Sequence, residues 1–353
     1  MTLPPILAAL KKHKAGVVLI TLQIALTLAI VCNAVFIIAQ RVATVQRPTG
    51  MVESNLFVIQ QMFVNAPTGN DAAALDKRYA MIQGDLQTLR GLPDVESAAA
   101  VSSLPLLQSS NNGGLGLKPN QANSTARSTF YSGGNHVIKT LSLRLIAGRN
   151  FNGSEITHGD HGGNYDPPVA IVTKALGDKL FPAGDALGKT VYFNGGANPT
   201  TIIGIVARLQ TPNVGFGTDY GWNSTLVPTF PNNSYTITAV RAKPGRMDEA
   251  MREARKALMA SDPMRVINNG FGGLMGIHPF SEVRARAYRA DVGMAILMGV
   301  ICVILLCVTG AGIVGLTSFW VGQRRKQIGI RRALGATRTD ILRYFQLENL
   351  FIA

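Results

Sequence analysis

An α+β extracytoplasmic domain of two lobes, inserted between transmembrane α-helices of an integral membrane protein, is the architecture this 353-residue sequence predicts. Three observations lead there. Two long runs without a charged side chain stand near the two ends, the stretch between them mixes helical and strand periodicity, and basic residues crowd the outer flanks of the runs. Composition agrees: mean hydropathy is positive and only 15% of residues are charged, against about 25% in soluble globular proteins.

The first run, Ala15 to Ala39, is long enough at about 1.5 Å per residue to cross a hydrocarbon core roughly 30 Å thick. It also exceeds the apolar core of a cleaved signal peptide, about 7 to 15 residues. The second run, Val292 to Val321, carries Gly299, Gly310, Gly312 and Gly315, which let helices in lipid approach closely, and Trp320 stands at its end as an interfacial anchor. Gln23 and Asn33 place polar groups at lipid depth, where they are expected to face other helices.

Orientation follows from the basic residues beside the runs. Lys11, Lys12, Lys14, Arg324, Arg325, Lys326, Arg331, Arg332, Arg338 and Arg343 on one side outnumber Arg41, Arg47, Arg284, Arg286 and Arg289 on the other. Residues 1–14 are therefore expected in the cytoplasm, 15–39 and 292–321 in the membrane, and 40–291 outside. The net charge of +14 is concentrated at these flanks, so anionic membrane lipid is an expected partner. No basic face interleaved with aromatics is visible, and nucleic acid is not expected. The three cysteines, Cys32, Cys302 and Cys307, lie inside the runs, which leaves the outer domain without a disulfide.

Within the outer domain Leu75, Tyr79, Ile82, Leu86 and Leu89 recur at helical spacing, with Asp71 before them and Gly91-Leu92-Pro93 after. Strands are predicted at Val95 to Val101, Val169 to Thr173, Thr190 to Phe193, Thr201 to Ala207 and Tyr235 to Val240, and a further helix from Arg246 to Ala260. Gln108 to Ser128 and Phe151 to Pro168 read as loops, and Ser281 to Asp291 as a helix running without a break into the second span.

Little in this domain suggests chemistry. Gly184 to Thr190 has three residues between its glycines where a phosphate-binding loop needs four, and a strand follows, so it reads as a turn. His158, Asp160 and His161 lie together in a Gly-rich loop without a further ligand at suitable spacing, and no metal site is expected. No Gly-x-Ser-x-Gly or His-Glu-x-x-His motif is present, and the chain is expected to be non-catalytic.

The stretch beyond the second run is the most informative. Gln323 to Leu334 reads as a short, strongly basic amphipathic helix, and Gly335 is placed to end it in a left-handed conformation. Thr337 and Asp340 form a capping pair that opens a new helix of Ile341, Leu342, Phe345, Leu347, Leu350 and Phe351. Residues 322–346 then form a cytoplasmic helix and corner, and 347–353 begin a third span.

The segment Lys326-Gln-Ile-Gly329-Ile-Arg331-Arg332-Ala-Leu-Gly335-Ala336-Thr-Arg338 resembles the signature of the MacB/FtsX family of ABC transporter permeases. Ala147-Gly-Arg-Asn-Phe151, Pro168-Val-Ala-Ile-Val172, Leu180-Phe-Pro182, Ala186-Leu-Gly-Lys189 and Thr201-Ile-Ile-Gly-Ile-Val206 resemble, in the same order, the periplasmic core domain of its MacB-like branch. The resemblance implies a bacterial inner-membrane permease of the efflux type, working as a dimer with a second permease chain. A separate ABC ATPase would bind ATP and Mg, with no cofactor held by this chain. A periplasmic adaptor and an outer-membrane channel are further implied partners. Coupling to the ATPase would fall to Arg325, Lys326, Ile328, Gly329, Arg331, Arg332, Leu334, Gly335 and Arg338. Family members have four spans, so a chain ending at Ala353 is expected to be a fragment. A lipoprotein-releasing permease, or a membrane-anchored regulator of a cell-wall hydrolase, is the alternative within the same family. An extracytoplasmic enzyme or receptor would leave the basic motif unexplained.

Overall fold

The structure, a computed structural model, describes residues 14–157, 166–213, 220–267, 275–323, 329–330 and 333–350. These form two units: an outer domain, Pro48–Tyr288, and a second unit built from the two chain ends.

The outer domain has two sheets, each with its own core. The first contains β1 (Leu56–Met62), β2 (Val95–Val101), β10 (Tyr235–Ala242) and β11 (Gly276–Pro279) in the order β11-β1-β10-β2. All its pairings are antiparallel; β1 runs against β10 from Leu56↔Arg241 to Met62↔Tyr235. Two helices cover it, one from Ala72 to Arg90 and one from Met247 to Ser261. The first is the helix predicted from the Leu75 to Leu89 stripe. Asp71 caps its start by accepting from the Ala74 amide at 3.3 Å, and Gly91 ends it. Its apolar face buries Ile82, Leu86 and Leu89 against Phe57, Ile59, Val240 and Leu258.

The second sheet contains β3 (Asn111–Gly116), β4 (Ala126–Ser132), β5 (Leu145–Gly148), β6 (Val169–Thr173), β7 (Thr190–Phe193), β8 (Pro199–Val206) and β9 (Ser224–Val227), in the order β5-β8-β6-β9-β4-β3-β7. An additional pairing of β7 with β8 closes this sheet on itself. Closure removes most exposed edges, and alternate residues fill the interior: Leu115, Phe130, Val172, Val191, Phe193 and Ile202. The helix Lys174–Leu180 packs Leu176 and Leu180 into the same core.

The predicted strands at 95–101, 169–173 and 190–193 stand at those limits, and the helix predicted at 246–260 lies at Met247–Ser261. Two expectations are corrected. The stretch 108–128, read as a loop, contains β3 and the start of β4. Its Asn- and Gly-rich sequence has little intrinsic strand preference, and pairing from Asn111↔Phe130 to Leu115↔Ala126 supplies the order instead. The helix expected to run unbroken from 281 into the second span is interrupted at Tyr288. That residue takes φ −98° and ψ 8°, outside the helical range, with its ring buried in the outer domain.

The second unit pairs the helix Lys14–Val45 with the helix Arg289–Gln323. Both are long and apolar enough to cross a membrane. They meet where Thr27 and Thr309 share a buried hydrogen bond of 2.7 Å, and Gln23 lies over Gly312, where an added Cβ would sit 2.7 Å from its Nε2. Large apolar residues such as Leu22, Phe36, Ile296 and Val314 remain exposed on these helices, as a lipid-facing pair requires.

One polar cluster is buried in the first lobe. Arg265 donates to Asp85 at 2.6 Å and to Gln61 at 3.2 Å, with Gln61 also donating to Asp85, while the guanidinium stacks over Phe63. Both charged side chains are at most 6% exposed, so removing one would strand its partner in a low-dielectric interior. Asp85→Ala is expected to cost about 3 kcal/mol or more, and the double variant Asp85→Leu/Arg265→Met less than either single change. Urea denaturation of the three variants, followed by circular dichroism, measures the difference.

Candidate coupling site

An inserted domain has two covalent connections to its membrane anchor, and in the outer domain both of the segments that lead to them are tied together. Glu53, near the start of the domain, and Arg284, near its end, form a two-point ion pair: Nε to Oε2 at 2.8 Å and Nη2 to Oε1 at 2.6 Å. Thr49 adds a hydrogen bond to Glu53 at 2.6 Å, and the Arg284 guanidinium lies 5.6 Å from the centre of the Tyr288 ring. Burial alone would raise the Glu53 pKa, but the bonds from Arg284 and Thr49 and the Arg284 charge together hold it below its ordinary value. In the membrane unit, Arg41 pairs with Asp291 at 2.7 Å, joining the ends of the two helices in the same manner. Spacing could not have revealed either pair, because the partners are 231 and 250 residues apart. Arg41 and Asp291 stand beside the apolar runs and Arg284 shortly before the second, but nothing in the sequence singles out Glu53.

Of the proposed coupling residues, Arg325, Lys326, Ile328, Arg331 and Arg332 lie outside the described residues. Gly329 and Ile330 are helical, and the Leu334 amide donates to the Ile330 carbonyl at 3.0 Å. Ile330 is 62% and Leu334 82% exposed, an unusual state for large apolar side chains at a helix end. Gly335 has φ +94°, the left-handed conformation expected of a residue ending the helix, and an added side chain there would be strained. Arg338 is exposed at the start of the helix Arg338–Leu350. The predicted cap is present: Thr337 donates its backbone amide to Asp340 at 3.1 Å, and the Asp340 amide donates back to the Thr337 hydroxyl at 3.3 Å. The Thr337 hydroxyl also donates to the Asp340 carboxylate, and that bond first, then the one from the Thr337 amide, holds the Asp340 pKa below its ordinary value.

The segment 184–190 is a turn into β7, with Lys189 paired to Asp185 at 3.0 Å. Among the described residues no group of His, Cys, Asp and Glu is arranged to hold a metal ion, and His158, Asp160 and His161 lie outside them.

Apolar helices that bracket an α+β domain, followed by a capped corner in a basic segment, define a membrane permease with an extracytoplasmic domain. The chain belongs to the family of such ABC transporter permeases: the MacB-like periplasmic core domain matches residues 17–258 and the FtsX-like permease C-terminal domain matches residues 299–353. It is similar to the macrolide export ATP-binding/permease protein MacB of Neisseria gonorrhoeae, with 25% identity over 237 residues, covering 65% of this chain and 34% of that one. It is also similar to the ABC transporter permease YknZ of Bacillus subtilis, with 26% identity over 214 residues, covering 60% of this chain and 50% of the relative. The chain thus matches about a third of the MacB length and half of YknZ. Among solved structures, the periplasmic region of MacB from Actinobacillus actinomycetemcomitans aligns with a TM-score of 0.39 at 16% identity, over 69% of this chain and 96% of that one.

Because the Glu53 pKa is depressed, its pairing contributes stability that is fully present above its unfolded value near 4.5 and is lost as the pH falls through the lower folded value. Glu53→Gln is therefore expected to lower stability by about 1 kcal/mol at pH 7, and its deficit to shrink below pH 4.5. Thermal unfolding of both proteins from pH 7 to pH 3.5 provides the comparison.

Proposed function

We propose that this chain is the permease of an ABC transporter of the MacB-like efflux type, carrying ATP-driven motion of a separate ATPase subunit from a cytoplasmic corner to the periplasmic domain, and so expelling substrate. The observation that carries the reading is the capped corner at Gly335, Thr337 and Asp340 in the basic segment that follows a membrane helix. Transmission needs a stiff element whose angle is fixed and which offers a surface to a partner. A left-handed glycine and a two-way cap fix the angle. Exposed Ile330 and Leu334, with Arg325, Lys326, Arg331, Arg332 and Arg338 beside them in the sequence, would offer apolar contact and positive charge to acidic or carbonyl groups on the ATPase. Ile328 and Gly329 would complete that face, with Gly329 admitting close approach.

In this reading ATP and Mg are held by the ATPase, and a second permease chain completes the membrane part. A periplasmic adaptor and an outer-membrane channel would receive the substrate. At the other end of the spans, the ion pairs Arg41–Asp291 and Glu53–Arg284 would keep the two connections from moving independently. An inner-membrane location with the basic corner in the cytoplasm is part of the proposal.

Replacing Arg331 and Arg332 by Glu is expected to abolish co-purification with the ATPase and stimulation of its hydrolysis, while leaving the outer domain's thermal unfolding unchanged. Unaltered ATPase stimulation in that variant would overturn the coupling role. Orientation has its own test. With Cys32, Cys302 and Cys307 replaced by Ala, an Ala336→Cys variant should resist a membrane-impermeant maleimide in intact spheroplasts and react after permeabilisation.

A further inference from the structure

The outer domain contains a cavity of about 240 Å³ at the seam of its two lobes. That is the volume of about eight liquid waters at ~30 Å³ each, room for a small organic group. The helix Ala72–Arg90 contributes Tyr79, Gln83 and Arg90 to its lining, and the loop after β4 contributes Asn135 and His136. Phe230 stands edge-on to Tyr79, ring centroids 4.9 Å apart, and the two rings form an apolar wall.

The polar part of the lining has chemistry left over. Arg90 donates Nε and Nη2 to the Ala98 carbonyl at 2.9 and 2.8 Å, which fixes the guanidinium and leaves its Nη1 group and one Nη2 hydrogen without a partner among the described residues. The side chains of Gln83, Asn135 and His136 make no hydrogen bond to any described residue. Among the described residues no carboxylate lines the cavity, and Glu155, on the turn that supplies Gly153, is held by Arg149 through both oxygens. Burial, then the charges of Arg90 and Lys139, push the His136 pKa down, so the imidazole is neutral at pH 7 and Arg90 is the cavity's permanent charge.

We propose that this seam binds a monocarboxylate on an apolar stem, with the carboxylate on the free edge of Arg90, completed by Gln83, Asn135 and His136, and the stem on the Tyr79–Phe230 wall. One fixed guanidinium matches one carboxylate in charge and in its planar, two-pronged geometry. Because the lining comes from both lobes, an occupant bridges them. The site needs neither the ATPase nor the coupling role, so its test stands apart from that of the permease reading.

The test uses the full chain in nanodiscs and equilibrium dialysis with 3-phenylpropionate, its amide, and the peptide acetyl-Gly-Gly-Phe with a free C-terminus. The acid should bind saturably and the amide about tenfold more weakly or worse, since the amide lacks the charge that Arg90 meets. His136→Gln and Gln83→Leu, which break no side-chain hydrogen bond to a described residue, should each weaken binding several-fold. An acid bound beside His136 should also raise that residue's pKa, read by NMR of labelled histidine. Peptide binding together with the acid would assign the natural ligand to chain termini, and acid binding alone to free acids. No saturable binding, equal binding of acid and amide, or undiminished binding in both His136→Gln and Gln83→Leu would overturn the proposal.

Discussion

A hydrocarbon core offers a peptide group no water, so a chain that crosses it must satisfy every backbone amide within its own helix. The helices Lys14–Val45 and Arg289–Gln323, each long and apolar enough to cross such a core, meet that constraint. A domain inserted between two spans exchanges force with the membrane only through its two connections and through whatever its surface touches. Glu53–Arg284 ties the segments leading to those connections within the outer domain, and Arg41–Asp291 ties the helix ends within the membrane unit. Partly shielded side chains favour both pairs, since Asp291 is 13% exposed and Glu53 26%. Hydrogen bonds to Thr49 and stacking over Tyr288 hold the outer pair in one geometry, which an isolated surface ion pair lacks.

The parts of this architecture that were legible in the sequence are those encoded locally. Asp71 and Gly91 marked the ends of a helix whose stripe from Leu75 to Leu89 set its buried face, and β2, β6 and β7 were each bounded by turn residues. Gly335 and the pair Thr337–Asp340 were legible for the same reason: a helix end and a helix start are short-range events with few chemical solutions. What stayed hidden depends on distant partners. β3 is ordered by its neighbours despite Asn and Gly, and the Asp85–Gln61–Arg265 cluster brings together residues whose polarity argued for exposure. The break at Tyr288 was hidden because its cause is a ring buried by the rest of the domain, while the helical pattern of the sequence runs on.

The two lobes of the outer domain are held together differently from the way each is held internally. Phe57, Ile82, Leu86 and Leu258 form one dry core, and Phe130, Val172, Phe193 and Ile202 the other. At the seam the short helix Val137–Leu141 packs on the first sheet through buried Val137 and Leu141 and also through polar bonds. Arg241 of β10 donates to the carbonyl of Thr140 at 2.7 Å and also to those of Ser54 and Val52, and Ser97 of β2 bonds the Thr140 hydroxyl at 2.6 Å. Burial lowers the Arg241 pKa, yet three carbonyls satisfy its donors, so it serves as a fixed bracket between strand, helix and entering chain.

That difference sets how the domain can move. Opening either core would expose apolar surface at about 25 cal/mol per Å², a cost that rises with every side chain uncovered. Opening the seam breaks buried hydrogen bonds, a net of about 1 kcal/mol each, and adds the cost of whatever apolar side chains it uncovers. The lobes are therefore expected to shift as intact bodies about the seam before either loses its internal packing. The seam also holds the cavity lined by Arg90 and His136, where bonding capacity is left unfilled, so an anion bound there would act on both lobes at once.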